Sequence, residues 1–215
     1  IKKVMSSGKC IRKDETALRE ARYSDFTVLL RNPKNKAPII AEELRKNGIP
    51  VNYNAEGYAE TNEISVFLSL LKVIDNPDSD IELLTVLMSP VFGFTAEETA
   101  EFRAAKKHGS LYSALVSAAQ NGDRHCEETL KALEKYRLLA VTLTLPRLVM
   151  RLLESTDFLN TVSASEDGAR RRGNLLLLAG YAEQYAADNR GGIGAFVKHI
   201  LKQSENGIKS ASAVS

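Results

Sequence analysis

At 215 residues the chain can bury one substantial core, or one domain together with part of another. Its 44% hydrophobic and 26% charged content is that of an ordinary globular protein, and no apolar run reaches the ~18–20 residues of a membrane span. A formal net charge of +2 excludes nucleic-acid binding through bulk charge alone but leaves room for a local phosphate site.

The chain opens Ile1-Lys2-Lys3-Val4, with no initiator Met and no signal-peptide pattern, and reads as a cut fragment. Cys10 and Cys126 lie far apart with no C-x-x-C spacing, so a reduced, cytoplasmic setting is expected. Ile1 to Tyr23 is polar and basic and carries little signal. Asp25-Phe26-Thr27-Val28-Leu29-Leu30-Arg31 has an unbroken, partly β-branched apolar centre and predicts a buried strand. Asn32-Pro33-Lys34-Asn35-Lys36 predicts a loop by its breakers. Pro38 to Asn47 predicts a helix, with Pro38 in its first turn and Gly48 at a left-handed C-cap. Ile49-Pro50-Val51-Asn52-Tyr53 reads as a second strand. Strand, helix and strand within about thirty residues make a βαβ unit with parallel strands, the edge of a larger sheet.

From Thr61 the pattern turns helical. Glu63 to Asp75 carries Ile64, Phe67, Leu68 and Leu71 on one stripe, and Asn76-Pro77 stops it. Ser79-Asp80-Ile81-Glu82 and Thr95-Ala96-Glu97-Glu98 both have the capping-box pattern. Further helices are predicted from Ser110, over Glu127 to Thr142, over Leu145 to Ser155, over Arg170 to Asn189 and over Gly194 to Gln203. The tail from Ser204 is small and polar and is expected to be disordered.

Catalytic chemistry is hard to find. His108, His125 and His199 have no metal-ligand spacing, so surface or structural roles are expected and no metal site is assigned. No G-x-x-x-x-G-K-[ST] loop or G-x-S-x-G elbow occurs. Glu97-Glu98 and Glu127-Glu128 sit in helix first turns, where the dipole explains them. Gly191-Gly192-Ile193-Gly194 follows a helix rather than a strand and reads as an interhelix turn. Arg170-Arg171-Arg172 opens a helix, where basic residues oppose the dipole; the run is a candidate phosphate contact beside the plainer reading of a solvated face. In Ser89-Pro90-Val91-Phe92-Gly93-Phe94-Thr95, Gly93 permits a sharp turn. The helix after it is expected to point free backbone amides outward over Gly93 to Glu97, where a DNA phosphate could bind. A plain helical corner is the alternative.

Several segments, in order, resemble the superfamily 1 helicases of the UvrD/RecB/AddA group. Tyr23-Ser24-Asp25-Phe26-Thr27-Val28-Leu29-Leu30-Arg31 resembles a strand of their second motor domain. Ala41-Glu42-Glu43-Leu44-Arg45-Lys46-Asn47-Gly48-Ile49-Pro50-Val51 resembles the group's E-x-L-x-x-x-G-I-P stretch. Glu63-Ile64, the run from Leu68 to Asp80, and the Ser89 to Thr95 loop resemble its next motifs. Gly173 to Tyr185, with Gly194-Ala195-Phe196-Val197, is similar to late helices of AddA proteins.

The resemblance implies a mainly α fold with a small α/β portion. Residues 1–60 would be a partial RecA-like (2A) motor segment, 61–203 a helical 2B-like insertion and 204–215 a tail. It implies a fragment of an ATP-dependent DNA helicase and exonuclease acting in double-strand break repair and recombination. ATP and Mg2+ would serve the parent and no cofactor this piece, which should be inactive alone. It implies sequence-independent DNA contact at a junction of single strand and duplex, a partner in the form of a second helicase/nuclease subunit, and no membrane. By residue, it implies DNA contact at Arg31, Gly93, Phe94 and Thr95; apart from the resemblance, Lys34, Arg170, Arg171 and Arg172 stand as candidate phosphate contacts. The segment Asn32 to Pro38 departs from the N-x-Q-S-R of UvrD-like members, and Phe92 stands where they often carry a basic residue. The alternative is a helical module that binds a partner subunit rather than DNA. An unrelated small-molecule enzyme lacks any nucleophile, metal or cofactor constellation to support it.

Overall fold

The computed structural model describes residues 1–10, 19–30, 33–51, 58–164, 167–188 and 191–205. The chain divides into two units, Ile1–Ala55 and Glu56–Ser215.

In the first unit, α1 (Lys2–Ser7) leads into a two-residue strand, β1 (Lys9–Cys10), which pairs antiparallel with β2 (Arg19–Glu20). The Arg19 guanidinium donates to both carboxylate oxygens of Asp25, at 2.9 and 2.7 Å. The same carboxylate accepts from the Arg22 backbone N–H at 2.7 Å and holds a 3-10 turn over Tyr23–Asp25. Asp25 is therefore spent on a turn instead of opening the expected strand. Phe26 is extended, at φ −100° and ψ 127°. Yet β1–β2 is the only ladder among the described residues, so Phe26 to Leu30 pairs with none of them. The buried strand predicted over Asp25 to Arg31 is not formed over Phe26 to Leu30, where Val28 is 53% and Leu29 88% exposed, and Arg31 lies outside the described residues. A strand is buried only if neighbours take up its backbone groups and cover its faces. Ile49 to Val51 likewise forms no strand, and residues 52–53 of that expectation lie outside the described residues.

The helix between them, α2 (Pro33–Lys46), begins at Pro33 rather than at Pro38. Part of the expected loop is thus helical, because Pro33 suits a first turn, where a missing N–H is harmless. Its end is as expected. Gly48 is left-handed at φ 71°. The Gly48 N–H reaches the Arg45 carbonyl at 2.8 Å and the Ile49 N–H reaches Leu44 at 3.0 Å, a Schellman cap.

The second unit is helical throughout its described secondary structure. Its helices are α3 (Asn62–Asp75), α4 (Asp80–Leu87), α5 (Ala96–Ala105), α6 (Leu111–Gln120), α7 (Arg124–Thr142), α8 (Leu145–Ser155), α9 (Phe158–Ser163), α10 (Gly168–Asp188) and α11 (Ile193–Glu205). α3 is the centre, and α4, α7, α10 and α11 pack on it. The predicted stripe of Ile64, Phe67, Leu68 and Leu71 is only part of its buried surface. Val66, Leu70, Val73 and Ile74 are buried too. A helix whose apolar surface extends well beyond one stripe belongs in an interior. Around this axis α5 packs on α6, α6 on α7, α7 on α8, and α8 and α9 on α10. α9 carries no local signal strong enough to predict it. It follows Asp157, whose φ is 52°.

The predicted capping boxes divide. At α5 the Thr95 N–H donates to the Glu98 carboxylate at 2.7 Å and the Glu98 N–H to Thr95 Oγ1 at 3.1 Å. At α4 the box does not form, since Ser79 makes no side-chain cap. Glu82 instead accepts from Lys72 Nζ at 2.9 Å. Asp80, in the same first turn, reaches across to the Leu111 N–H at 2.8 Å and so secures the start of α6.

One buried polar network joins the beginning of this unit to α10. Tyr58 donates its hydroxyl to the Asn174 carbonyl at 2.8 Å. The Asn174 side-chain amide donates to Glu63 at 2.6 Å, and Glu63 is only 2% exposed. Burial, with Tyr181 and Glu63 nearby, pushes ionisation of Tyr58 far above its ordinary range, so it stays a neutral donor.

Candidate nucleic-acid interface

The turn between α4 and α5 is built by its own hydrogen bonds. Ser89 Oγ donates to the Val86 carbonyl at 2.7 Å and accepts from the Val91 N–H at 3.2 Å. The Ser89 carbonyl accepts from Phe92 at 3.2 Å and Gly93 at 2.8 Å, and the Phe94 N–H returns to Leu87 at 2.9 Å. Gly93 turns the chain at φ 71°, is exposed, and has nothing within 4 Å of where a Cβ would stand. Exposed backbone without a side chain lets another backbone approach closely.

Phe94 points the other way. It is 5% exposed, packed edge-on to Phe102 and stacked flat on His125. His125 Nε2 lies 2.8 Å from the Phe92 carbonyl, which only an N–H can satisfy, so that nitrogen carries the proton. Its Nδ1 lies 3.7 Å from Glu98 Oε1. His125 thus ties the turn to α7. Nothing local in the sequence marks this role, since the two partners stand 33 residues apart.

These bonds revise the expected row of free amides over Gly93 to Glu97. The Gly93, Phe94 and Thr95 amides are already engaged. Among the described residues, only Ala96 and Glu97 of the five lack an acceptor. Glu97 and Glu98 are exposed at the same end. The Glu98 carboxyl is held below its usual range, chiefly by its bond from the Thr95 backbone and then by the Thr95 side chain. An incoming phosphate there meets amide donors and carboxylate charge together.

Of the other expected contacts, Arg31 lies outside the described residues, and Lys34 lies in the first turn of α2 in the other unit. Arg170, Arg171 and Arg172 share the start of α10. Arg170 pairs with Asp167 at 2.9 Å, Arg172 is exposed, and Arg171 Nε is buried without a hydrogen-bond partner. α10 packs on α3, α8 and α9.

No group of three or more His, Cys, Asp or Glu among the described residues could hold a metal ion. Cys126 is buried, and burial followed by the nearby Asp123 carboxylate pushes its thiol up to about 12, which makes it inert as a nucleophile at neutral pH. No helix among the described residues is long and apolar enough to cross a membrane. An open groove of about 700 Å³ runs beside Ile74, Leu138, Val141, Leu143 and Ile193, with Asp75, Glu134 and Arg137 also in its lining.

Residues 8–213 match the UvrD-like helicase C-terminal domain. The chain is 35% identical to an ATP-dependent helicase/nuclease subunit of the AddA type from Acetivibrio thermocellus over 210 residues, which is 94% of this chain and 17% of that protein. It is 38% identical to the corresponding subunit from Geobacillus kaustophilus over 199 residues, 88% of this chain and 16% of that one. With that from Clostridium novyi the identity is 35% over 207 residues, 91% of this chain and 17% of the relative. The chain thus spans about a sixth of the length of these relatives. It belongs to the UvrD-like helicase C-terminal domain family and matches a segment of the AddA-type subunits.

Proposed function

We propose that this chain is the part of an ATP-dependent helicase/nuclease subunit that joins a piece of the second RecA-like motor domain to the helical 2B insertion, and that it contributes DNA contact and scaffolding. The parent acts in double-strand break repair and recombination and works in the cytoplasm with a second subunit. Residues 1–60 are assigned to the motor segment and 61–203 to the insertion. Phe26 to Leu30 and Ile49 to Val51 become strands when the parent's sheet supplies their neighbours, which accounts for the exposure of Val28 and Leu29. No P-loop pattern occurs in the 215 residues. ATP and Mg2+ binding, hydrolysis and nuclease chemistry are assigned to other parts of the parent.

The observation that carries the DNA-contact reading is the turn at Gly93: exposed, side-chain-free backbone on a turn locked by Ser89, Phe94 and His125. A duplex backbone can lie against Gly93 and Thr95 without any base being read. Phe94 serves this contact from below, as the anchor of the turn. Arg31, Lys34 and Arg170 to Arg172 are proposed as further phosphate contacts. The test is fluorescence anisotropy on a duplex with a single-stranded tail, at low and at ~0.2 M salt. The wild type should bind weakly and lose affinity with salt. Gly93→Glu and Arg31→Ala should each bind more weakly at low salt. Equal binding by wild type and both variants would remove these residues from the contact.

A second reading has its own observation. The groove beside Leu138 and Val141 leaves large apolar side chains exposed, Val141 by 86%, as a protein-binding face would. Retention of the chain by the partner subunit without DNA, lost in Val141→Asp, would favour it.

A further inference from the structure

The corner between α5 and α6 gathers three cations that form no ion pair among the described residues, the nearby Asp80 carboxylate being bonded to the Leu111 N–H. Arg103, Lys106 and Lys107 stand within one stretch that holds no acidic residue from Arg103 to Gly109. Arg103 donates to the Gly109 carbonyl at 2.8 Å and Lys106 Nζ to the Ser113 carbonyl at 3.2 Å. Those bonds satisfy donors without cancelling charge. Lys107 is exposed and has no partner among the described residues. Elsewhere in this unit Lys72, Arg124, Lys131, Arg151 and Arg170 each face a carboxylate, whereas the exposed Lys135, Arg137, Arg147 and Arg172 form no ion pair among the described residues but are not gathered at one fixed turn with two others.

The corner is also held in one shape. Gly109 is left-handed at φ 94°, Ser110 accepts from the Ser113 N–H at 3.2 Å, and Asp80 accepts from Leu111 at 2.8 Å. The positive end of this surface is therefore presented by a fixed turn.

We propose that the α5–α6 corner is a second contact for the DNA duplex backbone, with Lys107 and Lys106 facing phosphates. This rests on the DNA-contact reading of the Gly93 turn and extends it along the same helix. α5 has 10 residues. At ~1.5 Å per residue its two ends lie about 15 Å apart. That is about four steps of a duplex at ~3.4 Å each along the axis. Gly93 and Thr95 would meet the backbone at one end and the lysines would meet it at the other. A fixed spacing of this kind suits a stiff duplex. The attraction of cations to the C-terminal end of the helix dipole explains Arg103 in place. It does not require Lys107, which lies beyond the helix.

The test is the salt dependence of binding to the tailed duplex by the intact chain. Wild type is compared with Lys107→Gln, with the Lys106→Gln/Lys107→Gln double variant and with the Lys106→Arg/Lys107→Arg double variant. Each lysine that meets a phosphate should remove about 1 from the slope of log affinity against log salt, and the arginine variant should keep the wild-type slope. Equal thermal midpoints exclude misfolding, and Lys107→Gln, which breaks no contact in the fold, keeps the test sound if the double variant is unstable. Wild-type slopes in both glutamine variants would overturn the proposal. If Gly93→Glu still weakens binding in that case, only this second contact falls. If the wild type binds no duplex, the underlying DNA reading falls with it.

Discussion

The imidazole of His125 lies flat on the ring of Phe94, with centroids 3.8 Å apart and planes 4° from parallel. The same imidazole bonds the Phe92 carbonyl at 2.8 Å, so one side chain of α7 holds both residues that flank Gly93. His125→Ala should cost about 1–2 kcal/mol, the sum expected for an aromatic contact and a lost hydrogen bond. Urea unfolding measures the cost. Amide exchange at Gly93 and Phe94 should quicken more than exchange in α3. An unchanged exchange rate at both amides would mean the turn holds itself.

Gly93 should resist substitution for conformational reasons alone. Its φ is 71° and its Cβ position is open. Gly93→Ala should therefore destabilise by about 1–2 kcal/mol, the cost of the left-handed region, and Gly93→Asn by less. Equal costs for Ala and Asn would contradict backbone strain as the cause.

Breaking the buried Asn174–Glu63 bond should cost more than any surface change. Asn174→Ala leaves the Glu63 carboxylate 2% exposed and stripped of that donor, 2.6 Å away in the wild type. About 2–4 kcal/mol is expected. Glu63→Gln keeps an acceptor oxygen for Asn174 and should cost about 1 kcal/mol. Denaturation midpoints of the two variants decide it, and equal losses would contradict the asymmetry.

Glu82 supplies a pH dependence with a definite sign. Its bond from Lys72 holds its carboxyl below the ordinary 4.5. A carboxyl depressed in the folded state adds stability that is fully present above the unfolded value. That stability is lost as pH falls through the folded one. The gap in stability between wild type and Glu82→Gln should therefore be widest near neutral pH and close as pH falls through the lowered folded value. The pair is partly exposed, so the gap should stay within about 1 kcal/mol. A gap that widens on acidification would refute the assignment.

Local chemistry was legible where both partners of an interaction lie within one turn. The Thr95–Glu98 box, the Ser110 cap and the left-handed Gly48 needed no tertiary knowledge. The Ser79–Glu82 box did not form because Glu82 takes a partner, Lys72, from another helix. The stripe on α3 was visible, but its full burial depends on four helices packed around it. The expected strand at Phe26 to Leu30 had the right side chains and no neighbour to pair with among the described residues. At the candidate site, Gly93 could be read from its residue type. The inward turn of Phe94 could not, since its stacking partner His125 belongs to a separate helix.

The most direct test of DNA contact is the affinity of the chain for two tailed duplexes of unrelated sequence, followed across a salt series by anisotropy. Backbone contact through Gly93, Thr95 and scattered cations predicts the same affinity for both sequences and a steady fall as salt rises. Affinity that differs between the sequences, or that holds constant with salt, would contradict it.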